Sequence, residues 1–242
     1  DIALDRTAAR EIFGDKMQHL GIAQELLAQN EIDIETSAAI IDRTAKLYIG
    51  GRQVRPDGGY SRAVLAPGGA LVGEVGEGNR KDIRNAVEAA RKASGWASAT
   101  EHNRAQVLYY IAENLEARLA EFADRLSAMT GKRKAEAARE VAAAVSRLFS
   151  YGAWADKFEG AVHRPPLRGI ALAMNEPVGI LGIACPQEPG LLGFVSAMAP
   201  AICAGNRVVV IPSTRLALAA TDFYQVLETS DVPAGVVNIV TG

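Results

Sequence analysis

The sequence predicts an α/β fold: a doubly wound, largely parallel sheet with helices on both faces and a β-hairpin at its start. Three observations carry this expectation. Residues 180–185, 208–211 and 236–240 are short, largely apolar runs, the pattern of strands buried on both faces. The intervals between them, 191–204 and 216–229, read as helices, and strand–helix–strand–helix–strand means a parallel sheet with helices on its faces. Near the start, Leu47-Tyr48-Ile49, Gly50-Gly51 and Gln53-Val54 form a strand, a tight turn and a returning strand. Open sheets of this kind hold ligands beyond the carboxyl ends of their strands.

Residues 1–45 have a different character. Ile12, Leu20, Ile22, Leu26 and Leu27 recur at helix-like spacing among charged residues, which predicts a helical lead-in or an inter-domain connector. Residues 46–242 form the folded domain. After the hairpin, Gly58-Gly59 and Pro67-Gly68-Gly69 punctuate short strands. Helices follow over 80–94, 101–129 and 134–154. The first lines up Ile83, Ala86, Val87 and Ala90 on one face behind Asn79 as its cap. The second keeps Val107, Leu108, Ile111, Leu115 and Leu119 in register behind Thr100, and the third Val141, Val145, Leu148 and Phe149. Arg164-Pro165-Pro166 ends the helical pattern. Residues 170–174 read as a strand, and Pro177-Val178-Gly179 as a turn.

The 242 residues, 49% hydrophobic and 22% charged, suit one large or two small domains with a substantial core. A net charge of −2 gives no reason to expect nucleic acid or an anionic membrane as partner. No apolar run approaches the roughly 20 residues of a membrane helix. Aromatic residues are 6% and alanine is abundant, so close helix packing is expected to build the core. Two cysteines make no disulfide framework, and without a visible signal peptide the expected compartment is a reducing cytoplasm. The chain starts at Asp1 and stops just after an apolar run, so it reads as a piece of a longer protein whose sheet lacks later strands. The strand at 170–174 is likewise expected to lack a partner.

Several tempting features read as structure. The glycines of Gly73-Glu74-Val75-Gly76-Glu77-Gly78 are in the wrong order for a dinucleotide loop and precede the parallel unit, so a turn is expected. His102 and His163 have no partner at metal-ligand spacing, and no metal site is expected. Lys132-Arg133-Lys134 reads as a solvated helix start, and Trp96 and Trp154 as packing anchors between helices.

A run of short motifs resembles the aldehyde dehydrogenase family. These are Leu47-Tyr48-Ile49-Gly50-Gly51, Ala86-Val87-Glu88-Ala89-Ala90-Arg91 with Trp96, Met129-Thr130-Gly131-Lys132 and Glu176-Pro177-Val178-Gly179. They continue with Ala199-Pro200-Ala201, Ala204-Gly205-Asn206, Pro212-Ser213 and the stretch from Pro233 to Gly242. Their shared order over residues 47–242 is more specific than any one of them. The resemblance implies a Rossmann-like coenzyme-binding domain, an oligomerisation flap over 161–176, and NAD or NADP as coenzyme of the parent protein. It places Pro186, Pro212 and Ser213 along the coenzyme-contact stretches.

Departures from the family pattern fall at its functional positions. The family's Pro-Trp-Asn-aromatic-Pro loop is Pro186-Gln187-Glu188-Pro189-Gly190 here, which puts Glu188 where the oxyanion donor should be. An ionised carboxylate only accepts hydrogen bonds, and losing one such donor costs roughly 2.7–4 kcal/mol. The Lys-Pro-(Ser/Ala)-Glu segment that holds the adenosine ribose is Ile211-Pro212-Ser213-Thr214, without either charged group. The family's cysteine nucleophile and general-base glutamate belong further along than Gly242. Cys185 and Cys203 read as packing residues, so this chain is expected to supply no catalytic residue. Together these differences resemble the degenerate second half of two-part aldehyde dehydrogenases. The expected role is a non-catalytic domain that holds no coenzyme tightly and serves assembly, by self-association or against a catalytic domain of the same protein. The alternative is the N-terminal portion of an active NAD(P)-dependent enzyme with an altered coenzyme site, which a cysteine in the nucleophile position beyond Gly242 would support.

Overall fold

A computed structural model describes residues 44–158 and 160–242, together with Glu11–Ile12, Asp15–Lys16 and Gln29. Residues 1–44 and 45–242 are separate compact units. In the first, Glu11–Ile12 and Asp15–Lys16 pair antiparallel, whereas a helix was expected at Ile12. The remaining lead-in positions, from Leu20 to Leu27, lie outside the described residues.

In the second unit, β1 (Leu47–Tyr48) and β2 (Gln53–Val54) form the expected hairpin around Gly50 and Gly51. Both glycines have positive φ, at 64° and 77°, the region glycine enters without strain. A second hairpin follows, β3 (Ser61–Leu65) with β4 (Leu71–Gly76). Helix α1 (Arg80–Lys92) starts at Asn79 with a complete capping box. The Asn79 side chain accepts from the Asp82 amide, and the Asp82 carboxylate accepts from the Asn79 amide. Helices α2 (Glu101–Ala117) and α3 (Leu119–Thr130) replace the single helix expected over 101–129. Arg118 (φ −105°, ψ 15°) leaves helical geometry between them. Such a bend leaves the apolar spacing nearly unchanged, so periodicity does not register it. Helix α4 (Lys134–Trp154) runs unbroken, and β5 (Ala161–His163) pairs antiparallel with β6 (Ala171–Ala173). The strand expected near 170–174 therefore has a partner, supplied by residues just ten positions upstream.

The main sheet is built by β7 (Ile180–Ala184), β8 (Arg207–Ile211) and β9 (Val237–Ile239). These three strands are parallel, and β1 and β2 extend the sheet antiparallel in the order β7-β8-β9-β1-β2. Helix α5 (Gly190–Cys203) links β7 to β8, and α6 (Ala217–Asp222) and α7 (Tyr224–Glu228) link β8 to β9. Successive residues of β8 show that both faces are covered. Val209 packs with Ala86 of α1, while Val208 and Val210 join the larger core with Phe194 and Met198 of α5. The edge strand β7 is only half buried, against the expectation of a strand covered on both faces. Trp96 is a buried anchor as expected, but Trp154 is largely exposed at the end of α4.

Three buried polar side chains hold this sheet together. Asn238 on β9 accepts from the Gly50 amide (2.9 Å) and donates to the carbonyls of Val208 (3.1 Å) and Gly235 (2.9 Å). It thus ties the first hairpin turn to the parallel strands. Asn206 accepts from the Gly179 amide (2.9 Å), which fixes the start of β7 against that of β8. Thr241 donates to the carbonyl of Gly76, closing β4 onto the end of β9. Replacing Asn238→Ala strands these groups without water. It is expected to destabilise the chain by about 2–4 kcal/mol, measurable as a lower midpoint in urea with an unchanged slope.

Candidate functional site

The crevice beyond the carboxyl ends of β7 and β8 holds the three residues assigned to coenzyme contact. Pro186 follows β7 and is exposed, but its ring rests on the first turn of α5. A Cβ at Gly193 would lie 2.7 Å from the Pro186 Cγ. Pro212 is buried behind β8. Ser213 is only 3% exposed, and its hydroxyl faces two acceptors on Gln187, the carbonyl at 3.1 Å and Oε1 at 3.0 Å. It also accepts from the Leu216 amide at 3.3 Å. A hydroxyl has one proton to give, so Ser213 is spent on joining the two loops and starting the turn into α6. Thr214 makes a longer contact of 3.4 Å to the same Gln187 Oε1.

The neighbouring positions supply no replacement. Ile211 presents an apolar side chain, 39% exposed, at the end of β8. Glu188 is 54% exposed, and its nearest cation is Arg215 of this chain, at 3.8 Å. A pair so open and so long contributes little. Helix N-termini commonly bind anions through free amides, but that of α5 is already occupied. Glu140 of α4 places Oε1 at 3.0 Å from the Leu191 amide and 3.3 Å from that of Leu192. On the 211–214 loop one side chain is apolar, the Ser213 hydroxyl is engaged, and no residue is acidic.

Neither cysteine is a poised nucleophile. Burial pushes the Cys185 thiol up to about 11. Burial also raises Cys203, partly offset by the charge of Arg104, and its thiol donates to the Tyr151 carbonyl at 3.1 Å. Among the described residues no cluster of His, Cys, Asp and Glu could hold a metal ion.

Comparison with known proteins decides the family. The sequence pattern of the aldehyde dehydrogenase family matches residues 55–242. The chain belongs to the aldehyde dehydrogenase family. Its relatives include 2-hydroxymuconic semialdehyde dehydrogenase of Pseudomonas putida, 31% identical over 81% of this chain and 42% of that protein. Betaine aldehyde dehydrogenase of Bacillus subtilis is 30% identical over 81% of this chain and 41% of that one. Among solved structures, an NAD-dependent aldehyde dehydrogenase of Sinorhizobium meliloti superimposes with a TM-score of 0.79 at 28% identity, over 82% of this chain and 41% of the other. A Staphylococcus aureus betaine aldehyde dehydrogenase solved in complex with NAD+ gives 0.78 at 25% identity, again over 82% and 41%. This aldehyde dehydrogenase-family chain therefore spans about two-fifths of the length of the relatives it matches.

Sequence reasoning missed Glu140 and the bridging role of Gln187. Glu140 lies 51 positions from Leu191, and on α4 it is one acid among many, so no local signal marks it. Two outcomes are expected. Calorimetry should give a dissociation constant for NAD weaker than micromolar, and Ile211→Lys with Thr214→Glu should raise the affinity. Cys185 should react with iodoacetamide at neutral pH about a hundredfold more slowly than a free thiol. The shift from 9.0 to about 11 leaves that much less thiolate, and the rate should climb only as pH approaches 11.

Proposed function

We propose that this domain serves assembly rather than chemistry in an NAD(P)-dependent aldehyde dehydrogenase. The observation that carries the proposal is that the crevice's polar groups are consumed internally. Ser213 is bound to Gln187, Glu140 fills the α5 N-terminus, and Ile211 and Thr214 stand where ribose ligands would be needed. The complex of a relative with NAD+ supports a nicotinamide coenzyme for the whole protein. Its oxidation of aldehydes would then run through other residues.

The exposed apolar surface supports the assembly role. Val162, Leu167, Ile170, Leu172 and Met174, on and beside the β5–β6 hairpin, are each more than three-fifths exposed. A contiguous apolar surface of this kind marks an interaction site. The partner is a second copy of the chain or a catalytic domain of the same protein, not nucleic acid or membrane. Residues 1–242 are expected to self-associate in light scattering, and a stable monodisperse monomer would contradict this.

The competing possibility, a working enzyme with an altered coenzyme site, is favoured by the unbroken family match from residue 55 to 242. In that case Glu188 occupies the reaction centre as an acid or base. Its half-exposed side chain beside Arg215 supports a solvated carboxylate instead. Glu188→Gln in the whole protein is therefore expected to leave turnover within a factor of a few. A hundredfold loss with the oligomer intact would favour the working enzyme.

A further inference from the structure

The outward face of α1 carries an excess of positive charge that helix stability does not account for. Arg80, Lys81, Arg84, Arg91 and Lys92 are exposed on it against a single exposed acid, Glu88, in a chain whose net charge is −2. The helix's other acid, Asp82, is buried and spent on the amides of Asn79 and Asp57. Lys81 pairs with Asp57, but Arg80, Arg84, Arg91 and Lys92 form no ion pair among the described residues. Glu88 lies one helical turn from Arg84, Arg91 and Lys92, where side chains are neighbours, yet among the described residues it pairs with none of them. Elsewhere such neighbours do pair, as Arg118 with Glu121 and Arg133 with Glu136. Arg91 and Lys92 complement the negative end of the helix dipole, whereas Arg80, the first residue of α1, opposes the positive end.

Tyr60 borders the same face. It is 72% exposed. A Cβ at Gly58 would lie 3.0 Å from its ring and 3.5 Å from the Asn79 side chain, just ahead of Arg80. Tyrosine and arginine are over-represented where proteins anchor one another. We propose that this face is a docking surface for an acidic protein segment. Its carboxylates meet Arg80 and Arg84 at one end and Arg91 and Lys92 at the other, and a cation between them meets Glu88. Arg80 and Arg91 are about 16 Å apart along the helix axis, the reach of about five extended residues. A nucleic-acid strand suits this face less. Its phosphates recur about every 3.4 Å without a gap, and Glu88 repels those that cross the middle. Charges at the rim of an interface chiefly speed association and exclude wrong partners, so this face contributes selectivity more than affinity.

The test follows fluorescence anisotropy as the 242-residue chain is added to labelled probes. One peptide, Glu-Glu-Ala-Lys-Ala-Glu-Glu, carries the proposed pattern. A second has the same residues with the lysine moved to one end, and oligothymidylate is the third probe. At about 50 mM salt, where screening is modest, the patterned peptide is expected to bind at least about threefold more tightly than the rearranged one. Arg80→Gln with Arg84→Gln should weaken its binding about tenfold. Arg133→Gln with Lys134→Gln, the same loss of charge on another helix, should leave it unchanged. Glu88→Gln should abolish the preference between the two peptides. Arg80→Gln should melt no lower than the unmodified chain, because it removes a cation from the positive end of the helix. Equal binding of the two peptides, binding of neither, or an equal loss in the Arg133 and Lys134 variant overturns the inference. Oligothymidylate binding more tightly than the patterned peptide overturns it in favour of a nucleic-acid surface.

Discussion

Helix α5 is held at both ends by side chains of opposite charge, and most of the fold is arranged around that restraint. At its start the Glu140 carboxylate accepts from the first free amides. At its end Trp96 donates to the Ile202 carbonyl at 2.9 Å and Arg104 to that of Cys203 at 2.8 Å. Each charge complements the helix dipole and satisfies groups that have no partner within the helix. Arg104 also reaches the Ala99 carbonyl and Glu101, so the guanidinium is buried but paired. Gly205 (φ 82°) completes the exit, with its own amide on Ile202 and that of Asn206 on Ala201. A Cβ there would meet the Pro177 ring at 2.8 Å, so the chain can turn into β8 only with glycine at this point.

The same restraint sets the chemistry of the crevice. Loop 186–189 and the turn at 204–206 are the two ends of α5, so pinning the helix also positions the exits of β7 and the start of β8. A buried donor or acceptor must have a partner. In this chain the partners are internal, Glu140 for the helix amides and Gln187 for Ser213. A ligand would have to displace bonds already made before forming its own, and each net bond gained is worth only about 1 kcal/mol.

Much of the fold was legible in the sequence because its signals are local. The apolar runs of β7, β8 and β9, the Gly50-Gly51 turn and the Asn79 cap each depend on a few adjacent residues. Breaks in helices were not legible. Arg118 and Phe223 interrupt helices whose apolar spacing continues past them, and backbone angles at single residues leave no trace in periodicity. Trp154 was misjudged for a related reason: a large ring predicts burial, but its place on the last turn of α4 exposes it. The candidate site was legible only in outline. Pro186, Pro212 and Ser213 do lie at the strand ends, yet what occupies their polar atoms depends on contacts across 26 to 52 residues.

The distribution of kept and altered positions bears on function more than any single departure does. Asn206, Asn238 and Thr241, which lie in motifs shared with the family, each satisfy buried backbone groups. Gly205, in the same motif as Asn206, supplies a backbone conformation that other residues adopt only with strain. Their loss would cost stability whether or not the crevice held a ligand. Glu188, Ile211 and Thr214 are exposed side chains whose replacement disturbs no buried partner. A fold tolerates change where side chains meet solvent and resists it where they complete buried hydrogen bonds. The exposed side chains of the 186–190 and 211–214 loops can therefore change at little cost to the fold, whatever those loops bind.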